Sequence, residues 1–268
     1  MREFSIITGA SGLLGQQHAM ALAEAGFNLI LIDIDSFNLK KFQKKIQKKF
    51  RSKKIISYSL DITNEQEIIK MKNFLKNKKI KITVLVNNAA MNPKMKEINK
   101  NTKTGDIENY PINLLRKEID VNLVSAFSMI KHFGPEMVKN KKGSIINIGS
   151  DLSINAPDQS VYSKDDNIKK VKNFKPIGYS ISKFGIVGLT KYVATYWAHK
   201  NVRCNALIPG AVDNNQSNYL KKNVSKRIPL GRWARKDEYK KGLVFLAKDD
   251  SSYMTGQLLI IDGGRSTW

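Results

Sequence analysis

The chain alternates short apolar segments with longer stretches of helical periodicity, and this alternation restricts the fold more than any other feature. Residues 28–34 read NLILIDI, an apolar run typical of parallel strands that are buried on both faces. Further strands are predicted at 5–8, 55–59, 82–86, 144–148, 203–208 and 257–261, with helices between them. Seven strands that alternate with helices predict an α/β protein with a single-domain, doubly wound Rossmann fold of about seven parallel strands flanked by helices.

No linker divides the chain, so the whole of 1–268 is expected to form one domain. Two polar segments, near 92–112 and 151–177, look like irregular insertions. Each follows the carboxyl end of a predicted strand, which is the side of such a sheet where ligands bind. Both insertions are therefore expected to lie beside the functional site.

The composition excludes several classes of protein. Hydrophobic residues make up 41% of the 268, enough for a core, so global disorder is excluded. The single cysteine, Cys204, rules out a disulfide framework, and three scattered histidines argue against a metal site. No apolar run approaches the ~18 residues of a membrane span. The chain passes from Met1 almost directly into its first strand, without a signal peptide, so a cytoplasmic protein with no membrane partner is expected.

The net charge of +23 allows two interpretations. One is nucleic-acid binding. The other is a general drift of composition towards lysine, since arginine forks with interleaved aromatic residues, which nucleic-acid readers favour, are absent. In the helix predicted after residue 34, lysine pairs such as Lys40-Lys41 alternate at helical spacing with Leu39, Phe42 and Ile46. This pattern indicates a solvated basic face, so no nucleic-acid partner is expected.

A glycine-rich loop follows the first strand and opens the first helix. Gly9, Gly12 and Gly15 are suited to a tight turn, to close approach of a pyrophosphate and to close helix–strand packing. The N-terminus of the helix favours an anion. The loop, with its intervening residues Ser11, Leu13 and Leu14, is therefore predicted to bind the phosphates of a dinucleotide. The alternative is a tight turn without a ligand.

An acidic residue, Asp33, ends the second predicted strand. A carboxylate there would accept hydrogen bonds from the adenosine ribose and repel a 2′-phosphate, and no arginine stands nearby. NAD is therefore predicted in preference to NADP. Alternatively, Asp33 only caps the next helix, a role that Asp35 or Ser36 could equally play.

Tyr179 and Lys183 lie four residues apart, on one face of a predicted helix. A cation beside a phenol stabilises the phenolate, which suits a tyrosine that exchanges a proton with a carbinol oxygen. Chance alone should produce about one such pair in a lysine-rich chain. A second pair, Tyr196 and Lys200, lies far from the strand ends and is interpreted as structural.

Taken together, these segments resemble the short-chain dehydrogenase/reductases over nearly the whole chain. The segments that carry the resemblance are TGASGLLG (8–15), DI (61–62), NNAA (87–90), VN (121–122), NIGS (147–150), YSISK (179–183), PG (209–210) and IDGG (261–264). Within the family, the C-terminal third and the first helix are similar to oxidoreductases of bacterial surface-glycan and flagellin-sugar pathways.

The resemblance implies a role for each matching residue. Tyr179 would be the acid/base, Ser150 would hold the substrate oxygen, and Asn122 would position Lys183 through a water. Lys183 would bind the nicotinamide ribose and tune Tyr179, which itself lies against the cofactor. The further cofactor contacts that the resemblance implies are Asp61, Ile62, Asn87, Asn88, Ala89, Pro209 and Val212.

Three features depart from the family pattern. The glycine spacing is G-x-x-G-x-x-G, where G-x-x-x-G-x-G is common in members of this length. Ser150 and Tyr179 are separated by the long 151–177 segment, which must still let the two side chains meet. The threonine often found after the PG pair is absent, and Asp213 or Asn214 is a candidate replacement.

The expected activity is NAD-dependent hydride transfer between nicotinamide and a secondary alcohol or ketone, on a sugar or sugar derivative. Arg227, Arg232 and Arg235 would suit a phosphorylated or nucleotide-linked sugar, although Arg232 could merely anchor its loop. Two alternatives are a 3-oxoacyl-(acyl-carrier-protein) reductase and a non-catalytic Rossmann protein that senses NAD or binds nucleic acid. The resemblance also implies a homodimer or homotetramer.

Overall fold

The computed structural model describes residues 3–93 and 106–268. Seven parallel strands form one sheet in the order β3-β2-β1-β4-β5-β6-β7. The strands are β1 Glu3–Thr8, β2 Asn28–Asp33, β3 Ile55–Ser59, β4 Lys81–Asn87, β5 Gly143–Ile148, β6 Val202–Pro209 and β7 Leu258–Ile261. The strand order reverses between β1 and β4, which opens a crevice at their carboxyl ends. The predicted doubly wound fold is confirmed.

The helices occupy both faces of this sheet. They are α1 Leu13–Glu24, α2 Ser36–Lys49, α3 Glu65–Asn77, α4 Ile112–Ile119, α5 Ser125–Lys139, α6 Ile177–Trp197, α7 Asn218–Ser225 and α8 Lys240–Ala247. Sequence reasoning missed α7, and it predicted one helix over 114–139 where the structure has two. A π-helical turn, Asp120–Val124, joins α4 to α5.

The core consists of two apolar layers, one on each face of the sheet. One layer packs α3, α5 and α6 onto the strands, with Met71, Phe133 and Val193 buried in it. The other packs α1, α2 and α8, with Leu22 and Leu243 buried. Burial of both faces explains why the strands are continuous apolar runs rather than alternating ones.

The basic helix α2 is amphipathic, as its sequence predicts. Leu39, Phe42 and Ile46 are buried, while the lysines between them face away from the core. Its N-cap is Asp35, whose carboxylate accepts the Asn38 N–H at 3.0 Å. Among the described residues, no helix combines the length and the apolarity that crossing a membrane requires.

The 151–177 segment lies between β5 and α6 and contains three short 3₁₀ turns, Asp151–Ser153, Gln159–Tyr162 and Ile168–Lys170. Arg227, just after α7, holds this segment by ion pairs to Asp158 and Asp166. Most of the other predicted insertion, residues 94–105, lies outside the described part of the chain.

Candidate active site

A groove of about 680 Å³ runs along the carboxyl ends of β1, β2, β3 and β4. Eleven of the predicted cofactor residues line it: Gly9, Ser11, Gly12, Leu13, Leu14, Gly15, Asp33, Asp61, Ile62, Asn88 and Ala89. Sequence reasoning missed other lining residues, including Ile34, Asn38, Thr63 and Ala90, and Lys117, Asp120 and Val121 from the α4 region. Ala90 and Val121 belong to segments that carry the resemblance but were not assigned as cofactor contacts, and the other residues carry no motif.

The glycine loop has the geometry that its sequence predicts. Gly9 has a positive φ of 62°, and a Cβ on it would lie 2.8 Å from the Ala89 Cα. A Cβ on Gly15 would overlap the Gly9 carbonyl oxygen. Gly12 is the N-cap of α1 and supplies no side-chain cap, so the first-turn N–H groups of Leu13 and Leu14 remain open to an anion. These free donors fit the diphosphate of a dinucleotide.

Asp33 lies at the rim of the groove, and its Oδ2 accepts hydrogen bonds from the Ser11 N–H at 2.9 Å and the Ser11 hydroxyl at 2.6 Å. Because Asp35 caps α2, the alternative that Asp33 serves as the helix cap is wrong. Beyond β2 the groove is lined by Asp35 and Asn38, with no basic side chain among the described residues there; Lys117 reaches the groove from α4.

Two polar residues, Thr8 and Asn88, link the loops that follow β1 and β4. The Asn88 amide donates to the carbonyls of Thr8 and Gly9, and the Thr8 hydroxyl accepts the N–H groups of Asn88 and Ala89. These bonds fix the loop after β4 against the loop after β1. The Asn87 side chain points into the core instead, where it donates to Asn147 at 2.8 Å, so it is absent from the groove lining.

Tyr179 and Ser150 meet despite the long segment between them. The Tyr179 and Ser150 side chains are close enough to interact, and burial raises the pKa of the Tyr179 phenol to about 12. Gly178, the residue before Tyr179, packs closely against Glu118, because a Cβ there would overlap the Glu118 carboxylate. The 151–177 segment, which Arg227 holds against the end of α7, therefore still allows Ser150 and Tyr179 to lie close together.

Lys183 lies beneath the same tyrosine. Its ammonium donates to the Ile148 carbonyl at 2.6 Å and lies 5.7 Å from the centre of the Tyr179 ring. The pKa of Lys183 is lowered to about 8, mainly because the ammonium is buried and to a smaller extent because Lys175 repels it. A partly deprotonated lysine beside a phenol can exchange protons near neutral pH.

Asn122 lies in the π-helical turn between α4 and α5, which places its amide in the interior. Its Oδ1 accepts the Met91 N–H at 2.6 Å, and its Nδ2 donates to the Met91 carbonyl and the Ser182 hydroxyl. Asn122 thus links the loop after β4 to α6 at Ser182, which is the residue before Lys183. Its predicted link to Lys183 through a water remains a prediction.

The two remaining predicted residues are Pro209, the last residue of β6, and Val212, in the loop that follows this strand. Val212 pairs with Ala234 in an isolated bridge, and neither residue lines the groove of about 680 Å³. Of the candidates to replace the missing threonine, Asp213 is ion-paired with Lys221 at 2.6 Å.

The three arginines suggested for phosphate recognition form ion pairs within the chain. Arg227 pairs with Asp158 and Asp166, while Arg232 and Arg235 pair with Glu238. The structure therefore supports the alternative role of Arg232, which is to anchor the loop before α8.

Three charged residues near Tyr179 were missed by sequence reasoning. Asp151 is buried and accepts the Ser150 hydroxyl at 2.8 Å, and Arg265 pairs with it at 2.6 Å. Lys175 lies over the Tyr179 ring, 4.1 Å from its centre. Asp151 could have been noticed as the neighbour of Ser150, and Lys175 as a cation four residues before Tyr179, whereas Arg265 is distant in sequence and carries no signal.

Comparison with known proteins gives concordant matches. A family model described as short chain dehydrogenase matches residues 3–164, and one described as enoyl-(acyl carrier protein) reductase matches residues 166–266. The chain is 30% identical to the 3-oxoacyl-(acyl-carrier-protein) reductase FabG of Thermotoga maritima, over 97% of this chain and 96% of that protein. It is also 30% identical to a 2-dehydro-3-deoxy-D-gluconate 5-dehydrogenase of Pseudoalteromonas atlantica, over 97% and 94% of the two chains.

Among solved structures, an NAD+-bound xylitol dehydrogenase superposes with a TM-score of 0.82 at 25% identity, covering 98% of each chain. The first family model spans more than half of the chain, and the relatives match it almost end to end. The chain therefore belongs to the short-chain dehydrogenase/reductase family of oxidoreductases that act on CH–OH groups.

Proposed function

We propose that this protein is an NAD-dependent dehydrogenase or ketone reductase for a secondary alcohol of a sugar or sugar derivative. The observation that carries the proposal is that Tyr179 lies beside Ser150, with the Lys183 ammonium 5.7 Å from the centre of the tyrosine ring. The sugar class is supported by relatives whose names include a deoxygluconate dehydrogenase and a glycerol dehydrogenase.

NAD, when bound, supplies the nicotinamide carbon that accepts the hydride. The open N–H groups at the start of α1 would bind its diphosphate, and Asp33 would accept the adenosine ribose hydroxyls. Asp61 and Ile62 would flank the adenine, with Asn88 and Ala89 along the cofactor. The carboxylates of Asp33 and Asp35 at the rim disfavour a 2′-phosphate, which supports NAD over NADP.

The chain's own residues would then manage the proton of the substrate. Ser150 would hold the carbinol oxygen, and Tyr179 would take the proton from it as the hydride leaves. Because burial raises the pKa of Tyr179, the phenolate needs nearby positive charge, and Lys183 provides it. Asn122 would fix the position of α6, and therefore of Lys183, relative to the loop after β4.

The proposal is tested with Tyr179→Phe, which removes one hydroxyl. Turnover should fall by about 10²- to 10⁴-fold, because a positioned acid/base is lost, while NADH binding stays unchanged. The matched control is Tyr196→Phe, the other Tyr-x-x-x-Lys tyrosine, which is exposed and stacks on Tyr192. Turnover is followed by NADH absorbance with D-gluconate, xylitol and glycerol. A Tyr179→Phe enzyme with wild-type turnover would refute the assignment.

A second candidate function is 3-oxoacyl-(acyl-carrier-protein) reduction, favoured by the 30% identity to FabG and by a basic surface that could receive an acidic carrier. Acetoacetyl-coenzyme A reduction with NADPH, measured beside the polyols, distinguishes the two. Preferential use of NADPH and of this thioester would favour the carrier-protein substrate.

We further propose a homodimer or homotetramer assembled through α5 and α6. Both helices expose large apolar side chains, including Phe127, Ile181, Phe184 and Tyr192. Such exposed apolar surface is typical of an interface. Light scattering on the purified protein measures the assembly directly.

A further inference from the structure

An ammonium group lies over the catalytic tyrosine in addition to that of Lys183. Lys175 lies near the end of the 151–177 segment, four residues before Tyr179, and its Nζ lies 4.1 Å from the centre of the ring. Its Nζ also donates to the Asn92 side-chain oxygen at 2.9 Å, in the loop that follows β4. Lys175 is thus held between the Tyr179 ring and Asn92.

The carboxylates around Lys175 already have other partners. Asp151 is paired with Arg265 at 2.6 Å. Glu118 accepts the Tyr110 hydroxyl at 2.5 Å, and burial raises the pKa of its carboxyl. Within residues 3–93 and 106–268, no carboxylate forms an ion pair with Lys175.

The charge balance at the site is therefore positive. Lys175 and Lys183 are close enough for each to affect the other, and burial lowers the pKa of Lys175 to about 8. Attraction to Asp151 and Glu118 only partly opposes that decrease. A partly buried ammonium that lacks a counter-ion is stabilised by an anion that arrives with a ligand.

The backbone around Lys175 keeps it at this position. Pro176 is the N-cap residue of α6, and its ring restricts the backbone where the segment enters the helix. The long segment after Ser150 therefore ends by placing a cation over Tyr179. If Ser150 and Tyr179 hold the carbinol oxygen, a cation at this point would face the part of a substrate next to the reacting carbinol.

We propose that Lys175 binds an anionic group of the substrate, so that the sugar derivative oxidised or reduced here is an acid, with a carboxylate or phosphate ester close to the reacting carbon. This inference rests on the proposed function, since it assumes that Ser150 and Tyr179 hold the carbinol. The anion replaces Asn92 as the partner of the ammonium.

The test compares two ligands that differ in one group, D-gluconate and D-glucitol, with D-glucitol 6-phosphate as the phosphate probe. Binding to the NADH-saturated protein is measured by calorimetry for wild type, Lys175→Met and Lys175→Arg. The control is Lys172→Met, an exposed lysine of the same segment. Wild type should bind at least one acid more tightly than glucitol by about 10- to 100-fold, the usual effect of a charge-assisted hydrogen bond.

Lys175→Met should abolish that preference and leave glucitol binding unchanged, whereas Lys175→Arg should keep most of it. Lys172→Met should behave as wild type. Acid binding should also weaken as the pH rises through about 8, only in proteins that retain Lys175. A preference for gluconate identifies a carboxylate, and a preference confined to glucitol 6-phosphate identifies a phosphate ester.

Three outcomes would overturn the inference. Wild type could bind glucitol and both acids equally, it could fail to bind either acid, or the preference for an acid could survive in Lys175→Met. Failure of the proposed function has a different signature. In that case NADH does not bind, or Tyr179→Phe does not lower turnover, whatever the acid preference is.

Discussion

The ion pair between Asp151 and Arg265 offers the sharpest test of how this site is held together. The Arg265 Nη1 lies 2.6 Å from the Asp151 Oδ2, and the two side chains are only 15% and 7% exposed. Removing one partner of a buried pair costs about 3–5 kcal/mol, because the other charge remains buried. Asp151 keeps hydrogen bonds from Ser150 and the Leu152 N–H. We therefore expect Arg265→Met to lower the free energy of unfolding by about 3 kcal/mol, the lower end of that range.

The double variant Asp151→Asn/Arg265→Met removes both charges together. Its loss of unfolding free energy should be smaller, by about 1–3 kcal/mol, than the sum of the losses caused by Asp151→Asn and Arg265→Met alone, because neither charge is left uncompensated. A surface pair provides the control. Lys142 contacts Glu3 at 3.0 Å, but both side chains are more than a third exposed, so Lys142→Met should cost less than about 1 kcal/mol.

Urea unfolding followed by circular dichroism measures all four variants, at one protein concentration because self-association shifts apparent stability. The reasoning is refuted if Arg265→Met costs no more than Lys142→Met, or if the two changes at the buried pair are additive. Either result would mean that solvent screens the pair in solution.

Two further predictions concern the cofactor groove and the helix beneath it. Asp33→Ser should weaken NADH binding by roughly 10- to 100-fold, because charge-assisted hydrogen bonds to the ribose are lost, and should raise the relative affinity for NADPH. Asp35→Ala should instead lower stability, because it removes the side-chain cap of α2. Fluorescence titration with NADH and NADPH measures the two affinities. An unchanged ratio of the NADH affinity to the NADPH affinity in Asp33→Ser would contradict the prediction. Burial lowers the pKa of His18 from 6.5 to about 4, so below pH 6.5 the unfolded chain takes up a proton that the folded chain excludes. Stability should therefore fall by up to about 3 kcal/mol as the pH drops from 6.5 to 4, and His18→Gln should lack this component. Equal pH dependence of the two proteins in urea unfolding would show that His18 is not the group responsible.

Local patterns in the sequence were sufficient for the strands, for most of the helices and for the glycine loop. Apolar runs predict buried parallel strands because both faces of each strand must be covered, and the structure buries both. The π-helical turn around Asn122 was not predictable, because a helix with one wider turn has almost the same periodicity. The short helix α7 was missed as well, and it packs only a small satellite cluster around Val224.

At the site, the sequence by itself singled out the residues that we propose carry the chemistry: Tyr179 with Lys183, Ser150 at a strand end, and Asp33 at the end of the second strand. Each is marked by its neighbours along the chain or by its place at a strand end. The tertiary structure alone decided which groups surround them. Asp151 meets Arg265 across 114 residues, and Lys175 meets Asn92 across 83. Ion pairs and hydrogen bonds between such distant residues depend on the position of whole strands and helices, which no local pattern encodes.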